Sequence, residues 1–255
     1  TVFKRAYDAR KKSAIVLIYT VDCAVADEAA VLQRYAGDTH VRRSPDTRYR
    51  FIGHAPADFQ AAGRPRPVVV GFGPCGLFAA LILAQMGLRP LVLERGKAVR
   101  ERTKDTWGLW RRGVLEPESN VQFGEGGAGT FSDGKLTTRI RDPRCAFVTD
   151  ELVRAGAPQE VAWSWRPHVG TDRLRGVIRS LRETLLGLGA QVVFRARLED
   201  LRVQDGRLAA LVLADGSVLP TEAAVLAIGH SARDTFAMLH RRGLEMTPKP
   251  FAVGV

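Results

Sequence analysis

Val68-Val69-Val70 runs straight into Gly71-Phe-Gly73-Pro-Cys-Gly76, and this junction constrains the chain more than any other part of it. Three β-branched residues in a row read as a buried strand. Leu77 to Met86 reads as a helix stopped by Gly87, and Leu91-Val92-Leu93 reads as the next strand, ending in Glu94. Each residue type has a task. Gly71 permits a tight turn, Gly73 lets the backbone approach a pyrophosphate, and Gly76 lets helix and strand pack closely. The anion then sits on free N–H groups at the positive end of the helix. Glu94 stands 18 residues past Gly76, about where an acid accepts from a ribose hydroxyl. Pro74, Cys75 and Arg95 are assigned to the same contact. A glycine triplet alone also occurs in ordinary turns, so the order strand, glycines, helix, strand and acid carries the expectation of a dinucleotide site. The acid disfavours NADP, whose extra phosphate calls for Arg. NAD and FAD stay open on this motif.

The remainder of the chain separates those two. A simple NAD domain continues with short alternating strands and helices. Here a long excursion comes first, then a helix over Thr171 to Leu188 and a strand over Gln191 to Phe194. A strand meander follows, with Asp-Gly turns at Asp205-Gly206 and Asp215-Gly216. Val225-Leu-Ala-Ile228 is then a buried strand closing on Gly229. This is the layout of FAD domains related to glutathione reductase. The expected fold class is α/β, a Rossmann-like FAD/NAD(P)-binding domain with an inserted meander, in which Leu198 and Gly229 join the cofactor-binding set. Ahead of it, Ala14 to Cys23 reads as a strand, Asp27 to Tyr35 as a short helix and Arg48 to Ile52 as a second strand. Gly53 to Pro67, rich in Ala, Gly and Pro, reads as a linker. Residues 1–63 are therefore expected to form a small α/β domain and 64–255 the larger one.

Composition narrows the function classes. Lys and Arg number 38 against 27 Asp and Glu, a net charge of +11, yet no basic block of five or more occurs. A scattered excess reads as solvated surface, so nucleic acid is not an expected partner. Three cysteines, Cys23, Cys75 and Cys145, form no Cys-x-x-Cys pair, which removes zinc ribbons and dithiol catalysis and suits a cytoplasmic protein. Cys145 reads as structural. The first residues carry charges where a signal peptide needs an apolar core. Pro67 to Leu88 holds no charge, but Gly71, Gly73, Pro74 and Gly76 break it, so no membrane span is expected.

Five segments also resemble a family: Asp8–Lys12, Pro67–Leu81, Asn120–Leu136, Pro167–Asp172 and Ala227–Phe236. They are similar to the large bacterial FAD-dependent dehydrogenases described as NAD(FAD)-utilising. Cys75 is a departure, since the family carries Ala there. Family members are also about twice this long, and Pro250 to Val255 reads as an unfinished strand, so an N-terminal portion is expected. The resemblance implies an FAD-bound oxidoreductase acting on a small-molecule substrate it does not identify, and leaves NAD(P)H open as the electron donor.

The middle segment agrees with a flavin contact. Gly124, Gly126, Gly127, Gly129 and Gly134 make a backbone-rich loop that a planar ring can approach. Ala128, Thr130 and Ser132 belong to that contact, and Lys135 is expected to bring positive charge to the ring. His230 is the candidate acid–base group, the alternative being a hydrogen-bonded support. Asp172 and His168 lie at the start of the third helix, where Thr171 or Asp172 reads first as an N-cap. Two rivals remain: an NAD-binding Rossmann dehydrogenase, and a flavoprotein that binds or modifies RNA through Lys4, Arg5, Arg10, Lys11, Lys12, Arg42 and Arg43.

Overall fold

A computed structural model of the chain describes residues 1–59, 63–138, 140 and 142–250. In chain order its elements begin with β1 (Val2–Asp8), β2 (Val16–Val21) and α1 (Glu28–Arg34). Next come β3 (Val68–Val70), α2 (Pro74–Gln85), β4 (Leu91–Glu94), α3 (Val99–Arg112), α4 (Pro143–Arg154) and α5 (Thr171–Gly187). The last are β5 (Gln191–Phe194), β6 (Leu198–Gln204), β7 (Arg207–Leu213), β8 (Val218–Pro220), β9 (Ala224–Leu226) and α6 (Arg233–Arg241). The fold is α/β and Rossmann-like, as the glycine junction predicts. Of the expected unfinished strand over 250–255, all but Pro250 lies outside the described residues.

The chain divides into two units. One joins Thr1–Ile52 to Ser132–Val177, and the other joins Gly53–Phe131 to the chain from Ile178 onward, so the division falls within α5. This differs from a cut at residue 63. The reason is a return of the chain to β1: Arg5 N donates to Trp163 O at 2.9 Å, and Trp165 N donates to Arg5 O at 2.8 Å.

In the first unit β1 and β2 form an antiparallel hairpin that sets Arg5 opposite Tyr19 and Tyr7 opposite Leu17. Asp27 caps α1 by accepting from Ala30 N at 2.9 Å, the role its position before an apolar run suggests. Residues 48–52 are not a strand: they are irregular, and Asp46 folds back to accept from both Arg48 N and Arg48 Nε. Such an Asx turn competes with extended pairing. α4 lies in the excursion and is capped by Asp142, which accepts from Arg144 N at 2.8 Å. Tyr49 rests against its Phe147, with ring centroids 4.7 Å apart.

In the second unit β5, β4, β3 and β9 lie side by side, all parallel, with Val69 between Val92 and Val225. β3 has strands on both sides and α2 over it, and its residues are buried. That is why a continuous Val run suits it. The meander is a separate antiparallel sheet, β6-β7-β8. Asp205 and Gly206 both have positive φ, 49° and 73°, the mirror-image turn that tight hairpins need. Leu198, Leu201, Leu211 and Leu213 pack it into a core with Val68, Val70, Leu93, Met238 and Leu239. Among the described residues no helix is long and apolar enough to cross a membrane.

Candidate functional site

Where parallel strands end at their carboxyl side, the loops that follow leave a crevice. The second unit has such a cleft, of about 780 Å³, at the ends of β3, β4 and β9. Its lining includes Gly71, Gly73, Pro74, Cys75, Glu94, Arg95, Gly127, Ala128, Gly129, Leu198, Gly229 and His230.

The three glycines of the first turn are glycines for different reasons. Gly71 has φ +99°, and a Cβ there would stand 2.3 Å from Ala227 O. At Gly76 a Cβ would stand 1.9 Å from Gly71 O. Both are demanded by the protein's own backbone. Gly73 is not. Its φ and ψ, −75° and −175°, suit any residue, and a Cβ would meet Gly127 Cα at an ordinary 3.5 Å. What a side chain at Gly73 would occupy is the cleft. Gly73 is also the N-cap of α2 and offers no side-chain cap, so the first-turn N–H groups of the helix are left for another acceptor.

Glu94 is buried, and its carboxylate is already engaged. Oε2 accepts from Phe72 N at 2.8 Å, and Oε1 accepts from Gly96 N at 2.8 Å and Gly124 N at 3.0 Å. A carboxylate offers about four acceptor positions, so one remains. Glu94 thus ties the first turn to the glycine loop as well as lining the cleft. Arg95 lies over the Phe123 ring, 4.1 Å from its centroid, and pairs with Glu118 and Asp234. Burial pushes the Asp234 carboxyl up, but Arg95, the Thr235 N–H and Arg197 outweigh it and hold the pKa at about 2.

No protein-family model matches the chain. An uncharacterized protein of Clostridium beijerinckii is 47% identical to it over 254 residues, which is 100% of this chain and 46% of that protein. The chain therefore spans about half the length of the curated relative it matches. Among solved structures, Thermovibrio ammonificans THI4 superposes with a TM-score of 0.46 at 17% identity, over 74% of this chain and 66% of that one. The 3-ketosteroid-Δ4-(5α)-dehydrogenase of Rhodococcus jostii RHA1 gives 0.39 at 18% identity, over 64% and 45%.

The glycine loop is split by the structure. Gly127, Ala128 and Gly129 line the cleft, whereas Gly126 is buried behind it, where a Cβ would meet Ile178 Cδ1 at 2.5 Å. Thr130 does not face the cleft. Its buried hydroxyl donates toward Glu125 O and Gly127 O and accepts from Arg102. Ser132 and Lys135 belong to the other unit, where both are exposed. Lys135 bridges to His168 through the backbone, and the His168 ring pairs with Asp133 at 2.9 Å. Asp172, in the first turn of α5, is exposed. His230 lies on the cleft wall with Ser231 Oγ 3.4 Å from its Nδ1.

Two residues were missed. Arg102, on the buried side of α3, is wholly enclosed and reaches into the loop 120–130. Glu125, also enclosed, accepts from Val99 N at 2.6 Å and from Arg182 at 2.9 Å. Burial raises the Glu125 pKa, with the Val99 N–H and Arg182 drawing it back. In a chain with so many arginines, nothing in sequence singles out Arg102.

Proposed function

We propose that this chain is the cofactor-binding part of an FAD-dependent oxidoreductase, a dehydrogenase acting on a small-molecule substrate. Gly73 carries the reading: it is the one glycine of the first turn that the fold does not require, and it borders the cleft beside a helix N-terminus. A pyrophosphate fits there, because free N–H groups and the helix dipole favour an anion. The remaining acceptor position of Glu94 suits a ribose hydroxyl. The residues present therefore fit a dinucleotide. FAD is favoured over NAD by the meander inserted before β9 and by the resemblance of the five segments to FAD-dependent dehydrogenases.

FAD supplies, when bound, a ring that takes up a hydride. The chain's own tasks are to bind and orient it. The first turn of α2 holds the pyrophosphate, Glu94 the ribose, and Gly127 and Gly129 offer backbone to the ligand with only the Ala128 methyl between them. For an alcohol or amine substrate, loss of a hydride from carbon to the flavin is balanced by loss of a proton from oxygen or nitrogen, and His230 on the cleft wall is the group assigned to hold that proton. With NAD(P)H as the electron donor instead, the small molecule is the acceptor and His230 returns a proton to it. The sequence holds no Cys-x-x-Cys pair, so the flavin is assigned a reaction that uses no protein dithiol.

The test is to denature the full-length purified protein and identify what it releases by absorbance and mass. FAD is the expected product. A colourless protein that releases NAD overturns the flavin assignment, and FMN as the dominant flavin overturns the pyrophosphate assignment.

A further inference from the structure

We infer that Arg102 is a positioning residue that holds the loop 120–130 in the shape the cofactor cleft requires; this rests on the cleft being a dinucleotide site. The guanidinium lies inside the loop and is bonded almost entirely to backbone. Nε donates to Asn120 O at 2.8 Å. One terminal nitrogen donates to Glu125 O at 2.6 Å, Gly124 O at 3.3 Å and Thr130 Oγ1 at 2.9 Å. The other donates to Val121 O and Gly127 O, both at 2.8 Å. The Phe131 ring covers it, with its centroid 5.1 Å away.

An enclosed charge with no carboxylate in direct contact is costly, and burial lowers the Arg102 pKa to about 10 against the pull of Glu94 and Glu125. The group remains charged at neutral pH, so its donors stay charge-assisted. Five carbonyls drawn toward one cation fix the orientation of the peptide planes between them. The N–H groups are thereby turned elsewhere: Gly124 N to Glu94 and Gly126 N to Phe72 O.

The glycines of the loop follow from this. A Cβ on Gly124 would stand 2.3 Å from Arg102 Cδ, and a Cβ on Gly127 would stand 2.9 Å from Gly73 Cα. The first makes room for the arginine, and the second brings the loop onto the first turn. Glycine density, which by itself suggests mobility, here belongs to a loop wound around a cation. Arg102 lines no part of the cleft, so it acts through the loop and not on the ligand.

Lysine presents three donors from a point charge and cannot span this fork. In the full-length protein, R102K and R102Q should weaken FAD binding by about tenfold or more, since several charge-assisted bonds are lost. The bound flavin should also show altered visible band shape at saturating FAD. Amide exchange should quicken across residues 120–130 and stay unchanged across residues 68–94. General destabilisation would move neither the band shape nor the exchange of one loop alone. Thr130→Val, which removes only the hydroxyl link, should give a smaller change of the same kind, and it decides the matter if neither Arg102 variant folds. Affinity and loop exchange within about twofold of wild type in these variants overturns the role of Arg102. Wild-type protein that takes up no dinucleotide overturns the cleft assignment instead, and loop exchange still judges whether Arg102 organises the loop.

Discussion

β2 and β3 are both apolar, β-rich runs, and the structure treats them in opposite ways. No residue of β3 is more than 5% exposed, whereas Ile18 in β2 is 49% exposed and every residue of β2 is classed with it. β3 has β4 and β9 on its two edges and α2 against it; β2 has β1 on one edge. An apolar run identifies a strand. What covers it depends on partners far away in the chain, and a two-stranded ribbon lacks the neighbours that make a sheet stable by itself.

Substitutions can break this comparison at its strong end first. Gly76→Val places a side chain on Gly71 O, where backbone cannot yield, and should cost about 3 kcal/mol or more in denaturant unfolding. A loss under about 1 kcal/mol would mean that the close approach of helix and strand is not essential. Glu94→Gln sets an amide among three N–H donors. It should cost roughly 2–3 kcal/mol and weaken FAD retention together, because a charge-assisted acceptor is lost. Retention unchanged with stability lowered would confine Glu94 to holding the two loops.

Val69→Ala and Ile18→Ala form a pair. The first removes fully buried methyls and should cost about 2 kcal/mol. The second trims an exposed side chain and should stay within about 0.5 kcal/mol in this chain. Equal costs would show that β2 is covered in solution.

The smallest effect concerns acid. Asp234 and Asp46 are both held at about 2, but by partners of different origin. For Asp234, burial opposes ionisation and is outweighed by Arg95, 139 residues away in sequence. For Asp46 the largest cause is Arg48, two residues on. A lowered folded pKa stabilises above the unfolded value, near 3.8, and that contribution is lost as pH falls toward 2. An unfolded chain keeps its neighbouring Arg48 close and does not keep Arg95 close. Asp234→Asn should therefore flatten the acid limb of the stability curve between those values, and Asp46→Asn should leave it unchanged. Equal flattening by both would mean the local pair is absent from the unfolded chain.

What was legible in the sequence is what is local. The first glycine turn, the helix after it, the strand ending in Glu94, the Asp-Gly turns and the Asp27 cap all depend on residues within a few positions of each other, where positive φ, missing side chains and capping oxygens act directly. The sequence by itself therefore determined the strand–turn–helix–strand unit and the meander. Tertiary structure decided the rest. Glu94 meets Gly124, and Arg102 meets carbonyls at 120–127, only after the chain has looped through α3 and back. It also decided that Thr130 supports the loop from behind, that Lys135 stands on the exposed surface of another unit, and that residues 132–177 return to β1. The physical reason is the same in each case: a backbone carbonyl or amide has no residue-specific signature, so the charged side chain that gathers several of them looks like any other until the fold brings them together.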